Sequence, residues 1–138
     1  VSTRSSDTIY NTVFSSDFNS PDSLISWVRQ LNQNGNEIKF RSVQVYYFVL
    51  SNQLDSAKNL LNQISTKFDQ KPTSFKKIDH ARLYYAWAKY ARGMYDEKMC
   101  EQYSLKAYNA FIEAGDKLMA GATLQNLGGL MVQLGNLP

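Results

Sequence analysis

Four polar side chains between residues 82 and 92 are the best candidates for binding chemistry in this sequence. They follow one another at intervals of three, four and three residues, which places all of them on one face of a helix. They are Arg82, Tyr85, Lys89 and Arg92. Three cations around one tyrosine favour a carboxylate, such as an acidic side chain, a free C-terminus or an anionic small molecule. The alternative is an ordinary solvated helix face without a ligand.

Catalytic and metal chemistry have little support in the sequence. The only histidine, His80, is 20 residues away from the only cysteine, Cys100. A metal site needs further ligands at short spacing, and no nucleophile-elbow, P-loop or dinucleotide-binding motif occurs. We therefore predict no metal, no cofactor and no enzymatic activity for this chain, and we interpret Cys100 as a small buried hydrophobic residue.

The composition describes an ordinary soluble domain. The chain has 138 residues, of which 43% are hydrophobic and 20% charged, enough for one domain with a substantial core. It has no apolar run of 18 residues, so no transmembrane segment is predicted. The net charge of +3 and the lack of a basic run longer than Lys76-Lys77 disfavour nucleic acid as a partner.

The compartment and the full protein are left open by the sequence. One cysteine rules out an internal disulfide bond but fits either a reducing or an oxidising compartment. Because the chain begins with Val1 and shows no leader, we expect a fragment of a larger protein. It would lie in the cytoplasm, or in the periplasm if it is the sensor part of a membrane-anchored protein.

Apolar residues at helical spacing predict a chain of consecutive helices. The expected helices span about residues 20–33, 36–51, 54–69, 75–94, 97–114 and 123–134, with short turns that make neighbours antiparallel. Residues 43–50 are rich in β-branched and aromatic side chains, but we predict a buried helix there because a clear helical stretch follows. Residues 1–19 form either a short helix or a loose segment ahead of a domain at 20–138.

The C-terminal stretch carries an apolar stripe with a glycine inside it. Leu124, Leu127, Leu130 and Leu134 recur at the spacing of one helical face. Glycine in a helix interior costs about 1 kcal/mol relative to alanine. We therefore predict that Gly128 faces the buried side, where a neighbouring helix approaches closely.

Two parts of the chain repeat each other at an offset of 40 residues, and the turns that follow them repeat at 42. The repeated set is Tyr84, Trp87, Ala88 and Ala91 over Leu124, Leu127, Gly128 and Met131. The sequence AYNAFIEAGD at 107–116, followed by ATLQNLG at 122–128, resembles the longer tetratricopeptide repeat (TPR) of about 40–42 residues. This variant occurs in kinesin light chains, bacterial peptide-pheromone receptors and bacterial sensor modules.

The resemblance implies an all-α, TPR-like solenoid of six or seven helices that ends within its last repeat at residue 138. It also implies that the first helix of each repeat lines a concave groove for an extended peptide. The groove residues would be Arg82, Tyr85, Lys89 and Arg92, with Gln125, Asn126 and Gly129 in the next repeat. The implied function is a non-catalytic protein- or peptide-binding module, the sensor or scaffold region of a bacterial signalling protein with a diguanylate-cyclase or DNA-binding output domain.

The first helix pair departs from the repeat pattern. Arg41 and Gln44 stand where apolar signature residues are expected, and Lys98 stands near a position that usually holds alanine. The first pair is therefore either a capping unit or in a different register. Of the tyrosines, we place Tyr47 and Tyr85 outside the core.

Self-association is the main rival function. A second copy would cover an apolar face that the last helix leaves exposed. That face comprises Leu124, Leu127, Leu130 and Met131. Direct binding to DNA or to an anionic membrane ranks lowest, because the basic residues are not gathered in the sequence.

Overall fold

The computed structural model describes residues 5–16, 18, 20–33 and 37–135. Within these ranges the chain forms seven α-helices and two short 3₁₀ helices, and no residue lies in a strand. The α-helices are α1 (Ser6–Phe14), α2 (Ile25–Gln33), α3 (Glu37–Leu50), α4 (Leu54–Gln70), α5 (Lys77–Gly93), α6 (Glu97–Glu113) and α7 (Lys117–Gly135). The all-α prediction is confirmed, and residues 43–50 are helical.

Side-chain caps begin three of the helices. Ser5 Oγ accepts a hydrogen bond from the Thr8 amide at the start of α1. An aspartate does the same at the start of α6 and of α7. Asp96 Oδ1 lies 3.0 Å from the Met99 nitrogen, and Asp116 Oδ1 lies 3.1 Å from the Met119 nitrogen. Both carboxylates are also stabilised by the positive end of the helix dipole.

Three of the turns between helices share one geometry. In each turn a residue with positive φ follows the helix, and the next amide donates to a carbonyl oxygen five residues back. The three residues with positive φ are Asn52, Tyr95 and Gly115. The three donor–acceptor distances, for Gln53 to Phe48, Asp96 to Ala91 and Asp116 to Phe111, are 2.8, 3.0 and 2.9 Å.

The central helix of the fold is α5. It contacts α3, α4, α6 and α7, and its buried residues point in nearly every direction around its axis. The helices α3, α5 and α7 lie side by side, and they begin 40 residues apart, at Glu37, Lys77 and Lys117. On one side of α3 and α5 the core is filled from α4, and on the other side from α1, α2, α6 and α7.

Within the N-terminal segment, residues Ser6–Phe14 form the short helix α1. Four apolar side chains of α1 are at most 3% exposed: Ile9, Tyr10, Val13 and Phe14. They belong to the same core cluster as residues of α3, α5, α6 and α7. The N-terminal segment is thus part of the packed domain. The predicted helix end at residues 34–36 and the stop at residue 136 lie outside the described residues.

The prediction for Gly128 is wrong. Gly128 is exposed, and a Cβ atom added to it would meet nothing within 4 Å. The close approach is at Gly129, where an added Cβ would lie 2.7 Å from Arg92 Nη2. Successive helical residues are rotated by about 100°, so a shift of one residue changes the face. The helix α7 turns Asn126 and Leu130 inward, and no described helix covers the face that holds Gly128.

Candidate functional site

The predicted basic face of α5 is covered by α1 and is not exposed to solvent. Arg82, Tyr85 and Lys89 are 5%, 1% and 8% exposed, and Arg92 is half-buried. The prediction of an open helix face is therefore wrong for the first three residues, and Tyr85 belongs to the core. Tyr47, also placed outside the core, is half-buried against it.

Aromatic rings explain why two of these cations can be buried. The Arg82 guanidinium carbon lies 4.9 Å from the centre of the Tyr10 ring. Lys89 Nζ lies 4.6 Å from the Tyr46 ring and 5.6 Å from the Tyr85 ring. A cation over a ring face is attracted by the ring quadrupole, and the long alkyl stems pack as apolar groups. A sequence pattern that counts Arg and Lys as solvent-facing therefore misplaces this face.

One end of the face, here called the Asp7 end, holds a carboxylate from α1. Asp7 Oδ1 accepts from Arg82 Nη2 at 3.1 Å and forms an ion pair with Lys39 Nζ. Asp79 Oδ1 lies 3.5 Å from Arg82 Nη1 on its other side. The hydrogen bond from Lys39 is the main cause that lowers the pKa of the Asp7 carboxyl, and Arg82 adds to it.

Acidic and basic residues are mixed at the Asp7 end, three acids with four bases. A cavity of about 740 Å³ opens there. The charged residues that line it are Asp7, Asp79 and Asp116 together with Lys39, Lys76, Arg82 and Lys117. An external anion would therefore compete with carboxylates that already line this cavity.

The other end of the face opens on a cleft of about 320 Å³, here called the Arg92 cleft. Its described lining residues come from α1, the segment after it, α5 and α7, and none of them is acidic. They are Phe14, Ser15, Ser16, Tyr85, Lys89, Arg92, Ala122, Gln125, Asn126 and Gly129. Six of the seven predicted groove residues therefore meet at one cleft, and the seventh, Arg82, lines the Asp7 end.

Hydrogen bonds orient the polar groups of the Arg92 cleft. Arg92 Nη1 donates to Asn126 Oδ1 at 3.4 Å, and Asn126 Nδ2 donates to the Ala88 carbonyl oxygen at 3.4 Å. Tyr85 Oη donates to the Ala122 carbonyl oxygen at 3.4 Å. Burial raises the pKa of the Tyr85 hydroxyl, so it remains a neutral donor. The cleft thus offers positive charge and amides to a ligand.

A second cleft of about 450 Å³ continues the same surface. It shares Lys89 and Arg92 with the Arg92 cleft, and it runs past Phe18, Tyr46 and Tyr95. None of its described lining residues is acidic either. The two clefts therefore meet at Lys89 and Arg92.

The only histidine and the only cysteine of the sequence are the remaining candidates for chemistry. His80 Nε2 lies 3.2 Å from the Pro72 carbonyl oxygen, and the His80 ring is edge-on to Phe68. Burial raises the pKa of the Cys100 thiol, which makes it a poor nucleophile at neutral pH. Among the described residues there is no group of three or more His, Cys, Asp or Glu side chains that could hold a metal ion.

No protein-family model matches this chain, and no curated protein or solved structure is significantly similar to it. The function must therefore be argued from the site itself. No helix in the part of the chain that the structure describes is both long and apolar enough to cross a bilayer.

Sequence reasoning missed the residues that α1 and α3 bring to this face. Asp7, Lys39 and Phe14 lie 40 or more residues before the basic stretch of α5, and no periodicity links them to it. The one available signal was the spacing of Ile9, Tyr10, Val13 and Phe14, which gives α1 an apolar face that must pack somewhere.

Proposed function

We propose that this chain is a non-catalytic binding module that takes a protein or peptide segment with a carboxylate at the Arg92 cleft. One observation carries the proposal: Arg92 lines this cleft, is half-buried, and donates a hydrogen bond to a neutral amide oxygen, Asn126 Oδ1. Holding a cation at a partly buried site is costly unless an anion compensates it. The neighbouring pairing of Arg82 with Asp7 is an example, within the same molecule, of how this face binds a carboxylate.

The proposed architecture is a TPR-like solenoid made of the helices α3 to α7. The 40-residue spacing of α3, α5 and α7 supports it, and so does the repeated turn after α3, α5 and α6. By analogy with proteins of that architecture, the chain would be a sensor or scaffold region of a larger bacterial signalling protein. A diguanylate-cyclase or DNA-binding output domain would then lie outside it.

Selection from a random peptide library tests the proposed ligand class. The full chain is used to select decapeptides that are displayed with a free C-terminus, and enriched peptides are measured by fluorescence polarisation. We expect the enriched set to carry Asp, Glu or the terminal carboxylate at one fixed position. Their affinity should fall about tenfold or more in Lys89→Gln and Arg92→Gln, because each loses a charge-assisted hydrogen bond.

Matched controls separate the cleft from general charge. Lys58→Gln and Lys98→Gln remove exposed cations from α4 and α6 and should leave the affinity unchanged. Asp17 follows Ser16 in the sequence and lies outside the described residues, so the selection is repeated with Asp17→Asn. Selection of neutral peptides, equal losses in the controls, or binding found only with Asp17→Asn would overturn the proposal.

A second candidate function is self-association through α7. This helix carries one charged residue, Lys117, in 19 residues. Leu124 and Met131 are each 44% exposed and Val132 is 64% exposed, whereas Leu130 is fully buried against Ala91 and Cys100. A second copy of this chain would cover that face in the way that α6 covers the corresponding face of α5.

Light scattering over a range of concentrations tests this candidate. A dimer that dissociates on Leu124→Lys or Val132→Lys supports it, and Leu105→Lys on the exposed side of α6 is the control. A monomer at every concentration, or a dimer that all three variants leave intact, would contradict it.

A further inference from the structure

We infer that α1 is an exchangeable occupant of the face it covers, and that an external ligand of this face is a helical segment of similar chemistry. The segment would carry an acidic residue, with aromatic residues three and seven positions later. The covered face is here called the α1-binding surface, and it comprises Lys39, Tyr46, Arg82 and Tyr85. The inference rests on the proposed function, because it names a partner class for the same side of α5.

The chemistry of the partner can be read from α1 itself. Asp7 pairs with Lys39 and Arg82, and three residues later the Tyr10 ring lies over the Arg82 guanidinium. Four residues after Tyr10, the ring of Phe14 contacts two aromatic rings of the α1-binding surface. Its centroid lies 5.4 Å from that of Tyr46 and 5.3 Å from that of Tyr85. Residues at these spacings share one helical face, so a single helix makes all the contacts.

Size and connection make α1 separable from the rest of the domain. It has nine residues, too few to form a stable helix alone in water, so its order depends on the surface it covers. It packs against α2, α3 and α7 and contacts α5 through side chains, while the core cluster on the α4 side contains none of its residues. Exchange for a similar helix would cover the same apolar area again.

The fit of α1 is incomplete in its polar groups. Four buried side-chain atoms at or beside this contact have no hydrogen-bond partner among the described residues. They are Tyr10 Oη, Asn11 Oδ1, Ser42 Oγ and Arg82 Nε. Buried polar atoms are normally paired, so a ligand that satisfied Ser42 Oγ or Arg82 Nε would bind better than α1 does.

The clefts at the two ends of α1 extend the surface beyond it. Asp7 and Asn11 border the cavity at the Asp7 end, and Phe14, Ser15 and Ser16 border the Arg92 cleft. A segment that continued past the position of Phe14 would reach Lys89 and Arg92.

A peptide copy of α1 tests exchange directly. The probe is a fluorescein-labelled, acetylated and amidated peptide SSDTIYNTVFSS, which is residues 5–16 of this chain. Binding of the peptide to the wild-type chain and to the Asp7→Asn/Phe14→Ala variant is measured by fluorescence polarisation. In the wild type the tethered α1 competes at high effective concentration, so we expect the variant to bind the peptide about tenfold more tightly or better.

Peptide variants and a milder protein variant serve as controls for this experiment. A peptide with Asn for Asp7 and Ala for Phe14 should lose about tenfold or more in affinity, since it lacks both contacts. If circular dichroism shows that the double variant is unfolded, Asp7→Asn alone is used, with Asp22→Asn as its control. Peptide binding to Asp7→Asn but not to Asp22→Asn supports exchange.

Three results would overturn the inference. The first is a folded variant that does not bind the peptide, and the second is equal binding of a scrambled peptide. The third is a dimer in which two copies exchange α1, because the surface would then serve assembly. The library selection does not use this peptide, so a failure of exchange is distinguishable from a failure of carboxylate binding at the Arg92 cleft.

Discussion

The two ends of one helix face differ in the groups that their arginines contact. At the Asp7 end, Arg82 meets the carboxylates of Asp7 and Asp79. At the Arg92 cleft, two turns and more along α5, Lys89 and Arg92 meet aromatic rings and the amide of Asn126. The same helix therefore shows one arginine of this face beside two carboxylates and another beside a neutral amide.

The comparison teaches that buried cations have opposite consequences in the two places. An arginine that is paired with acids of the same chain contributes to folding, and removing it harms the fold. An arginine without such a partner costs some stability and is available to a ligand. The predictions that follow test this contrast, in order of the expected size of the effect.

Charge reversal should separate the two ends most clearly. Arg82→Glu places a buried carboxylate beside Asp7 and Asp79, so we expect a loss of about 3–5 kcal/mol in the free energy of unfolding. Arg92 is half-buried, and Arg92→Glu breaks one long hydrogen bond to Asn126. We therefore expect a loss of about 1 kcal/mol in the free energy of unfolding. Urea denaturation followed by circular dichroism measures both. Equal losses would show that the two ends do not differ in this way.

Two adjacent glycines of α7 sharpen the contrast between stability and binding. Gly128→Ala should raise the free energy of unfolding by about 1 kcal/mol, because alanine favours the helix and its Cβ meets nothing. Gly129→Ala gains the same helix propensity, but its Cβ displaces the Arg92 guanidinium. We expect a smaller gain in stability and weaker binding of the selected peptides. Thermal unfolding measures the stability of the two variants, and fluorescence polarisation measures their peptide affinity. Equal peptide affinity in the two variants would contradict the assigned role of Arg92.

The pH dependence of one ion pair should give the smallest effect. The pKa of the Asp7 carboxyl is lower in the folded chain than in the unfolded chain. The stabilisation that Asp7 gives to the fold is therefore present above the unfolded-state pKa, and it is lost as the pH falls through the folded-state pKa. Asp7 is largely exposed, and we expect Asp7→Asn to cost about 0.5–1 kcal/mol near neutral pH. The cost should shrink between about pH 5 and pH 2. Asp22→Asn is the control, and a pH-independent cost of Asp7→Asn would refute the pairing.

The helices were predictable because their signals are local. Asp96 and Gly115-Asp116 mark turns by residue type, and the apolar spacing of residues 54–69 fixes α4 without any long-range information. The common face of Arg82, Tyr85, Lys89 and Arg92 follows from helical geometry in the same way. Local rules therefore predicted the all-α class and three residues of the Arg92 cleft, and the 40-residue repeat predicted three more.

The environment of that face was not predictable, because it depends on contacts between distant residues. Asp7 lies 75 residues from Arg82 in the sequence, and the burial of Tyr85 depends on α1 and α6 together. The error at Gly128 has a different origin. The apolar stripe of α7 was aligned with the apolar stripe of α5. That face of α5 is covered by α6, whereas no described helix covers the matching face of α7.

Gly129 limits how this surface can change, because its side chain is a single hydrogen atom. Arg92 occupies the space that any larger side chain on Gly129 would need. A glycine codon becomes an aspartate or glutamate codon by one base change, and such a change would put a carboxylate against the guanidinium. One point mutation would thus give the Arg92 cleft an internal salt bridge and turn the proposed recognition surface into a structural one.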